Sequence, residues 1–420
     1  MIGENIHHPS SIIHRKGSIY LHVLACSLMI SIIGLGSLCA VRVQGRSCRL
    51  MRDYAEARTC AVSAIELGML HVKQDPLWRT TWPSGTWMQD QPLGSGKFTL
   101  QGTDAQDGDL ADSPYDSLVL TGIGTKGVAR HKVQVVLAPV IKPVEALTSA
   151  LQGSGSLQVT GGNKITAVGA PVCTNGQLSY SGTIDGTAEA QSLGTHTGTV
   201  TGGSTIPGTV KRMPDTGLIA KYAAKGTVVA YSATREKFVL APGYSTFGTA
   251  DPNGLYVINT SNANITIQKC RINGTLVVQA GTGTVTLAEP VFLQNYRSDF
   301  PVLLVSGNVI IQNTSATTYL TESGCSTNFN PSGAPYNGVT DTDKTDTYPN
   351  EIRGLVHIEG SLTLQQTARI VGAVICNGSI TCAGTNTISY TSSLYACPPQ
   401  GYTYVAGMKL SPGSWKQLVD

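Results

Sequence analysis

Apolar residues fill the chain almost without break from Ser18 to Val41, and from Leu50 they thin to one side. Residues 23–41 carry no ionisable group except cysteine thiols. An α-helix rises about 1.5 Å per residue, so about 20 residues cross a hydrocarbon core roughly 30 Å thick. Leu24, Leu28, Ile30, Ile32 and Ile33 each favour insertion by roughly 0.3–0.6 kcal/mol. Ser27, Ser31, Gly34, Gly36 and Ser37 offset part of that gain. Further on, Leu50, Tyr54, Ala57, Ala61, Ala64, Ile65, Gly68 and Val72 recur at a helical spacing on one face. Arg49 and Asp53, and Arg52 and Glu56, stand four apart on other faces, placed to pair. Asp75-Pro76 marks a stop. The pattern predicts one helix over 18–77, apolar all round in its first half and amphipathic in its second.

The period then changes. Residues 97–101, 117–122 and 128–137 read as strands, with Val133, Val135 and Leu137 on one side of the last. They predict a small antiparallel β domain over 78–142, packed on the amphipathic half of the helix. Trp78, Trp82 and Trp87 are expected to fill that seam rather than to bind sugar.

From residue 143 to 396 short alternating runs are punctuated by Gly, Asn or Ser, as in GTLVVQAG, GTVTLAE, VLLVSGNVIIQN and GLVHIEGSLTLQQ. Strands this short, with turns this regular, predict a parallel β-helix, each coil burying its inward residues against its neighbours. A β-sandwich would show more even runs and more Asn-Gly hairpin turns. Inward candidates include Leu276, Val278, Leu287, Leu304, Ile311, Val356, Leu364 and Val374. An insertion at about 211–250 is expected to hold a short helix capped by Asp215. Residues 323–349 read as a surface loop, and 397–420 as a closing strand and cap. The fold class is mainly β: a single membrane-spanning α-helix continuing into an amphipathic one, a small antiparallel β domain, and a β-helix solenoid with a short helical insertion.

Composition removes some functions. The net charge of the 420 residues is only +3, and no basic stripe interleaves with aromatics, so nucleic acid is not an expected partner. The ten cysteines show no metal-ligand spacing. A disulfide outside the cytoplasm, such as Cys376 with Cys382 or Cys397, is compatible with the sequence.

Two acidic stretches carry candidate chemistry. In GTDAQDGDLADSPYDS, the carboxylates of Asp104, Asp107, Asp109 and Asp112, with Asp116 beyond, could supply the oxygens that Ca²⁺ wants. The stretch lacks the EF-hand's spacing and closing glutamate, and a loop of Asx turns with solvated carboxylates is the plainer reading. Asp341, Asp343 and Asp346 in TDTDKTDT are a weaker cation candidate, because Lys344 sits among them. No enzyme is expected. The solenoid's runs are rich in Thr, Ser, Val and Gln. Its mixed-charge clusters, Tyr296-Arg297-Ser298-Asp299 and Glu351-Ile352-Arg353, read as loop-tying ion pairs. No phosphate loop or nucleophile elbow occurs.

The N-terminus carries a resemblance. A polar leader ends in His14-Arg15-Lys16-Gly17, followed by SIYLHVLACSLMISIIGLGSL and then RLMRDYAEARTCAVSAIELGML. This layout resembles type IV pilin and type II secretion pseudopilin precursors, in particular the PilX/PulK-like minor pilins. The whole chain is similar to pilus-assembly-type bacterial proteins that join such an N-terminus to a β-helical domain. The resemblance implies a cytoplasmic leader over 1–17, cut between Gly17 and Ser18 by a prepilin peptidase, and a methylated new N-terminus. It implies packing against other pilin or pseudopilin subunits through residues 18–72. It also implies a place in the lipid of a bacterial inner membrane, with the C-terminal bulk periplasmic or at the cell surface. His22 stands at the fifth mature position, where major pilins carry glutamate, and this favours a minor role. A signal peptide cut after Leu38-Cys39-Ala40 is the alternative at this end, opposed by the length of the apolar run. Arg15 and Lys16 precede the span while Arg42, Arg46, Arg49 and Arg52 follow it; the N-terminus is nonetheless expected inside. A membrane-anchored adhesin or envelope binding protein that does not polymerise is the alternative function.

Overall fold

A computed structural model describes residues 15–313 and 318–419. The described residues form two compact units, those up to Val140 with those from Val405, and those from Ile141 to Tyr404.

The first unit begins with helix α1 (Arg15–Gln74), a continuous 60 residues. Most of the expected leader, residues 1–14, lies outside the described residues. The helix stops where Pro76 has no N–H to offer. There Asp75 N donates to His71 O at 3.0 Å and Leu77 N donates to Asp75 Oδ1 at 2.8 Å. Strands β1 (Gly85–Leu93), β2 (Gly96–Asp104), β3 (Leu118–Lys126) and β4 (Ala129–Pro143) form an antiparallel sheet in that order. Ala57, Cys60, Ala61, Ala64 and Ile65 are buried against it. The small side chains matter because helix and strand backbones nearly touch. A Cβ on Gly122 of β3 would lie 2.2 Å from Ala61 O, and one on Gly124 would lie 1.9 Å from Ala57 O. Trp78 and Trp87 are buried in the same core and Trp82 is half-buried beside them. Leu50 and Tyr54, expected on the buried face, are exposed; the buried face starts only at Ala57.

The C-terminus departs from the pattern reading. Residues 397–404 stay with the solenoid, where Tyr402 is wholly buried, and only 405–420 leave it. Thr403–Leu410 and Lys416–Leu418 both pair with β4 and complete a six-stranded sheet. An uncovered β4 would present a row of unpaired N–H and C=O groups, and these two segments occupy that edge.

In the second unit the strands pair almost wholly in parallel, in a 21-stranded sheet wound into coils. One inward column runs Ala188, Val172, Leu151, Val374, Val356, Leu303, Leu276 and Tyr256, each paired with the next in the adjacent coil. All eight are buried. The coils are therefore not stacked in chain order: the first, at 151–168, pairs with the last, at 369–390. Gly307, Gly360, Gly378, Gly155 and Gly176 stack at one corner, where an added Cβ would stand 2.4–3.0 Å from the preceding coil's carbonyl oxygen. That stack gives the glycine punctuation its physical reason.

Leu304, expected inward, points outward. Its neighbours Leu303 and Val305 take the inner face, and strand side chains alternate. Leu304 is buried all the same, because the helix Leu218–Ala223 covers that outer face with Leu218, Ile219 and Tyr222. That helix starts after Gly217, at φ +81°, without a side-chain cap; Asp215 instead lies 4.0 Å from Arg212. The insertion is also shorter than 211–250, since Thr234–Ala241 pairs in parallel with Ile265–Asn273 as part of the stack.

Residues 323–349 form more than a surface loop. Phe329, Ala334 and Tyr348 are buried with Val239, Phe292 and Leu320 in a core of their own. Arg271, wholly buried, ties them to the coil by donating to Phe329 O at 2.7 Å, Ala334 O at 2.8 Å and Pro335 O at 2.5 Å.

Candidate functional site

Between Ile19 and Val43, none of the described residues covers α1. Ile19, Leu24, Ile30, Ile33 and Leu38 are each 63–70% exposed. The helix is long and apolar enough to cross a membrane. Its serine hydroxyls are satisfied within the helix: Ser27 donates to Leu24 O at 2.9 Å, Ser31 to Ser27 O and Ser37 to Ile33 O, both at 2.8 Å. In a medium without water such pairing lowers the cost of the polar side chains. Gly17 and Ser18 lie within α1, whose first residue is Arg15, and His22 lies on its exposed stretch.

The four aspartates of the first acidic stretch do not act as one set. Asp104 and Asp112 converge with Asp116, one carboxylate oxygen from each within 4.8 Å of the others. Asp107 accepts from Asp109 N and Asp109 from Ala111 N, both at 2.9 Å, as Asx turns do. Asp104 accepts from Gln106 N at 2.7 Å. Partial desolvation, then the hydrogen bond and charge of Asp107 and the charge of Asp116, push the Asp112 carboxyl up. Arg79, which pattern reasoning passed over, brings positive charge. It donates to Leu110 O at 3.2 Å and Asp116 O at 2.6 Å, and stacks 4.5 Å over Trp78. The chain gave no local signal for it, because its acidic neighbours lie some thirty residues away.

The mixed-charge clusters tie loops. Arg297 chelates Asp299 with Nε at 2.9 Å and Nη2 at 2.7 Å, which holds that carboxyl at about 2. Gln400 Nε2 also donates to Asp299, at 2.8 Å. Glu351, nearly buried, takes Arg353 and also Arg369, the latter at 3.0 Å. Cys376, Cys382 and Cys397 are not bridged to one another. Cys376 donates to Gly360 O at 3.1 Å, and burial pushes both Cys376 and Cys382 up to about 12.

These features define a class: a mainly β chain with one N-terminal helix able to cross a membrane, an antiparallel sheet on that helix, and a parallel β-solenoid. The solved structures similar to it include a domain of an ice-binding protein from Shewanella frigidimarina, at 14% identity and a TM-score of 0.32, covering 60% of this chain and 98% of that one. Another is an ice-binding protein from an Antarctic biological consortium, at 17% identity and 0.30, covering 59% and 91%. A third is the competence-associated pilin ComZ from Thermus thermophilus, at 10% identity and 0.26, covering 88% and 97%. The chain matches no family model and no curated protein.

Proposed function

We propose that the chain is a non-enzymatic structural subunit, a minor pilin or pseudopilin-like component of a type IV pilus or type II secretion-type system. It is anchored in a bacterial inner membrane and carries its solenoid on the far side. The observation behind this reading is the uncovered apolar stretch from Ile19 to Val43, joined without a break to a half that packs on a sheet. Taking each large apolar side chain fully out of water is worth about 1.5–3 kcal/mol. Lipid supplies that burial before assembly, and neighbouring pilin helices supply it afterwards. Residues 18–72 are then the contact surface, a prepilin peptidase the processing partner, and Gly17–Ser18 the bond cut.

Mass spectrometry of the protein isolated from its own cells tests this. The expected mature N-terminus is Ser18 carrying one added methyl group. A chain that keeps Met1, or one cut near Ala40, overturns the reading.

A further inference from the structure

The excursion at 322–348 gathers oxygen atoms from residues far apart in the chain. Glu322, Asp341 and Asp343 each bring a carboxylate oxygen within 4.8 Å of the others. Glu322 is wholly buried and accepts from Phe329 N, from the Tyr348 hydroxyl at 3.0 Å and from Asp346 N at 3.2 Å. Asn330, only 1% exposed, sets its carboxamide between two carboxylates. Its Nδ2 donates to Asp341 Oδ2 at 3.0 Å and to Asp346 Oδ2 at 2.8 Å. Two acceptors remain: Asn330 Oδ1 and Asp341 Oδ1 are buried and have no hydrogen-bond partner.

A buried acceptor left without a partner costs about 1–3 kcal/mol, and gathered carboxylates repel one another. Two cationic side chains are near. Arg271 spends its described hydrogen bonds on the carbonyls of Phe329, Ala334 and Pro335, so it offsets Glu322 from a distance. Lys344 is exposed. The donors are all hard oxygens, from carboxylate and carboxamide, with no nitrogen or sulfur ligand. That set suits Ca²⁺, which takes six to eight such oxygens in a tolerant geometry. The carboxamide can also turn over, exchanging its oxygen and nitrogen. Turned, Asn330 would present Oδ1 towards Asp341 and Asp346, an arrangement unfavourable against bare carboxylates and favourable around a cation.

We propose that Glu322, Asn330, Asp341, Asp343 and Asp346 form a Ca²⁺ site that fastens the 322–348 excursion to the solenoid. The inference is independent of the pilin reading.

Terbium, a luminescent substitute for Ca²⁺, tests it on the full-length protein in detergent. Trp78, Trp82, Trp87 and Trp415 all belong to the first unit, whereas Tyr348 donates directly to Glu322. Terbium bound here should emit with a tyrosine excitation profile, and terbium at the Asp104 stretch with a tryptophan profile. Calcium should displace the tyrosine-sensitised signal at about 10⁻⁴–10⁻³ M, as in extracellular modules, and should slow proteolysis within 322–348. The double variant D341N/D343N should lose affinity by about tenfold or more, as expected when ligand charge is removed. If the double variant does not fold, D343N, altered only at an exposed side chain, is measured in the same way and should also weaken binding. Absence of a tyrosine-sensitised signal overturns the proposal, and so does a calcium affinity unchanged in the folded variant.

Discussion

At the scale of single residues, His357 shows what burial does to a titratable group. It sits inside the second unit with Nδ1 2.9 Å from the Tyr402 hydroxyl, and burial pulls its pKa to about 4, with Asn377 opposing. The unfolded chain returns it to the ordinary value near 6.5. A base whose folded pKa is lowered leaves stability intact above the unfolded value and removes it as pH falls towards the folded one. The expected loss is about 3 kcal/mol between pH 7 and pH 4. Urea midpoints of the wild type and of His357→Gln across that range check it: the difference in slope is the histidine's share. In the sequence His357 stood in a strand, in LVHIEG, with nothing to show that its outward side was covered. Leu304 is hidden by the same layer, so alternation alone misassigned it.

At the scale of elements, the contact between α1 and β3 decides the first unit. The helix side was legible: Ala57, Ala61, Ala64 and Gly68 recur on one face, and a stripe of small residues admits a close neighbour. The strand side was not, because the predicted run ended at Gly122 and left Gly124 outside it, whereas both lie in β3 under the helix backbone. Gly124→Val forces atoms into the space held by Ala57 O, 1.9 Å from an added Cβ. Overpacking of this kind should destabilise the first unit by about 3 kcal/mol. Denaturant unfolding followed by tryptophan fluorescence reads that unit selectively, because all four tryptophans lie in it. The acidic stretches taught the reverse lesson. The denser one, at 104–116, resolved mostly into Asx turns and an arginine. The sparser one, at 341–346, gained a buried Glu322 and Asn330 that no local motif contained.

At the scale of the whole molecule, the chain leaves the first unit, builds the second and comes back. Residues 405–420 belong with 1–140, where they cover the edge of β4. A chain ending at Tyr404 should therefore lose resistance to proteolysis in residues 78–140 while the solenoid keeps its melting temperature. Limited proteolysis with mass mapping, beside calorimetry of the same sample, measures both; an unchanged digestion pattern would show that the returning strands add no stability. The uncovered apolar stretch of α1 belongs to this scale too, since none of the described residues buries it.

The sequence by itself determined the helix over nearly its full length, β2, β3 and β4 of the sheet that follows it, and the inward positions of most coils. Each of these depends on local periodicity, which reports which side of an element is dry. Only the tertiary structure decided which dry surfaces meet: Leu151 against Val374, the last strands against β4, and Asn330 between Asp341 and Asp346. Partner choice is a contact between residues distant in the chain. Many pairings satisfy the same period, and only the folded arrangement selects one.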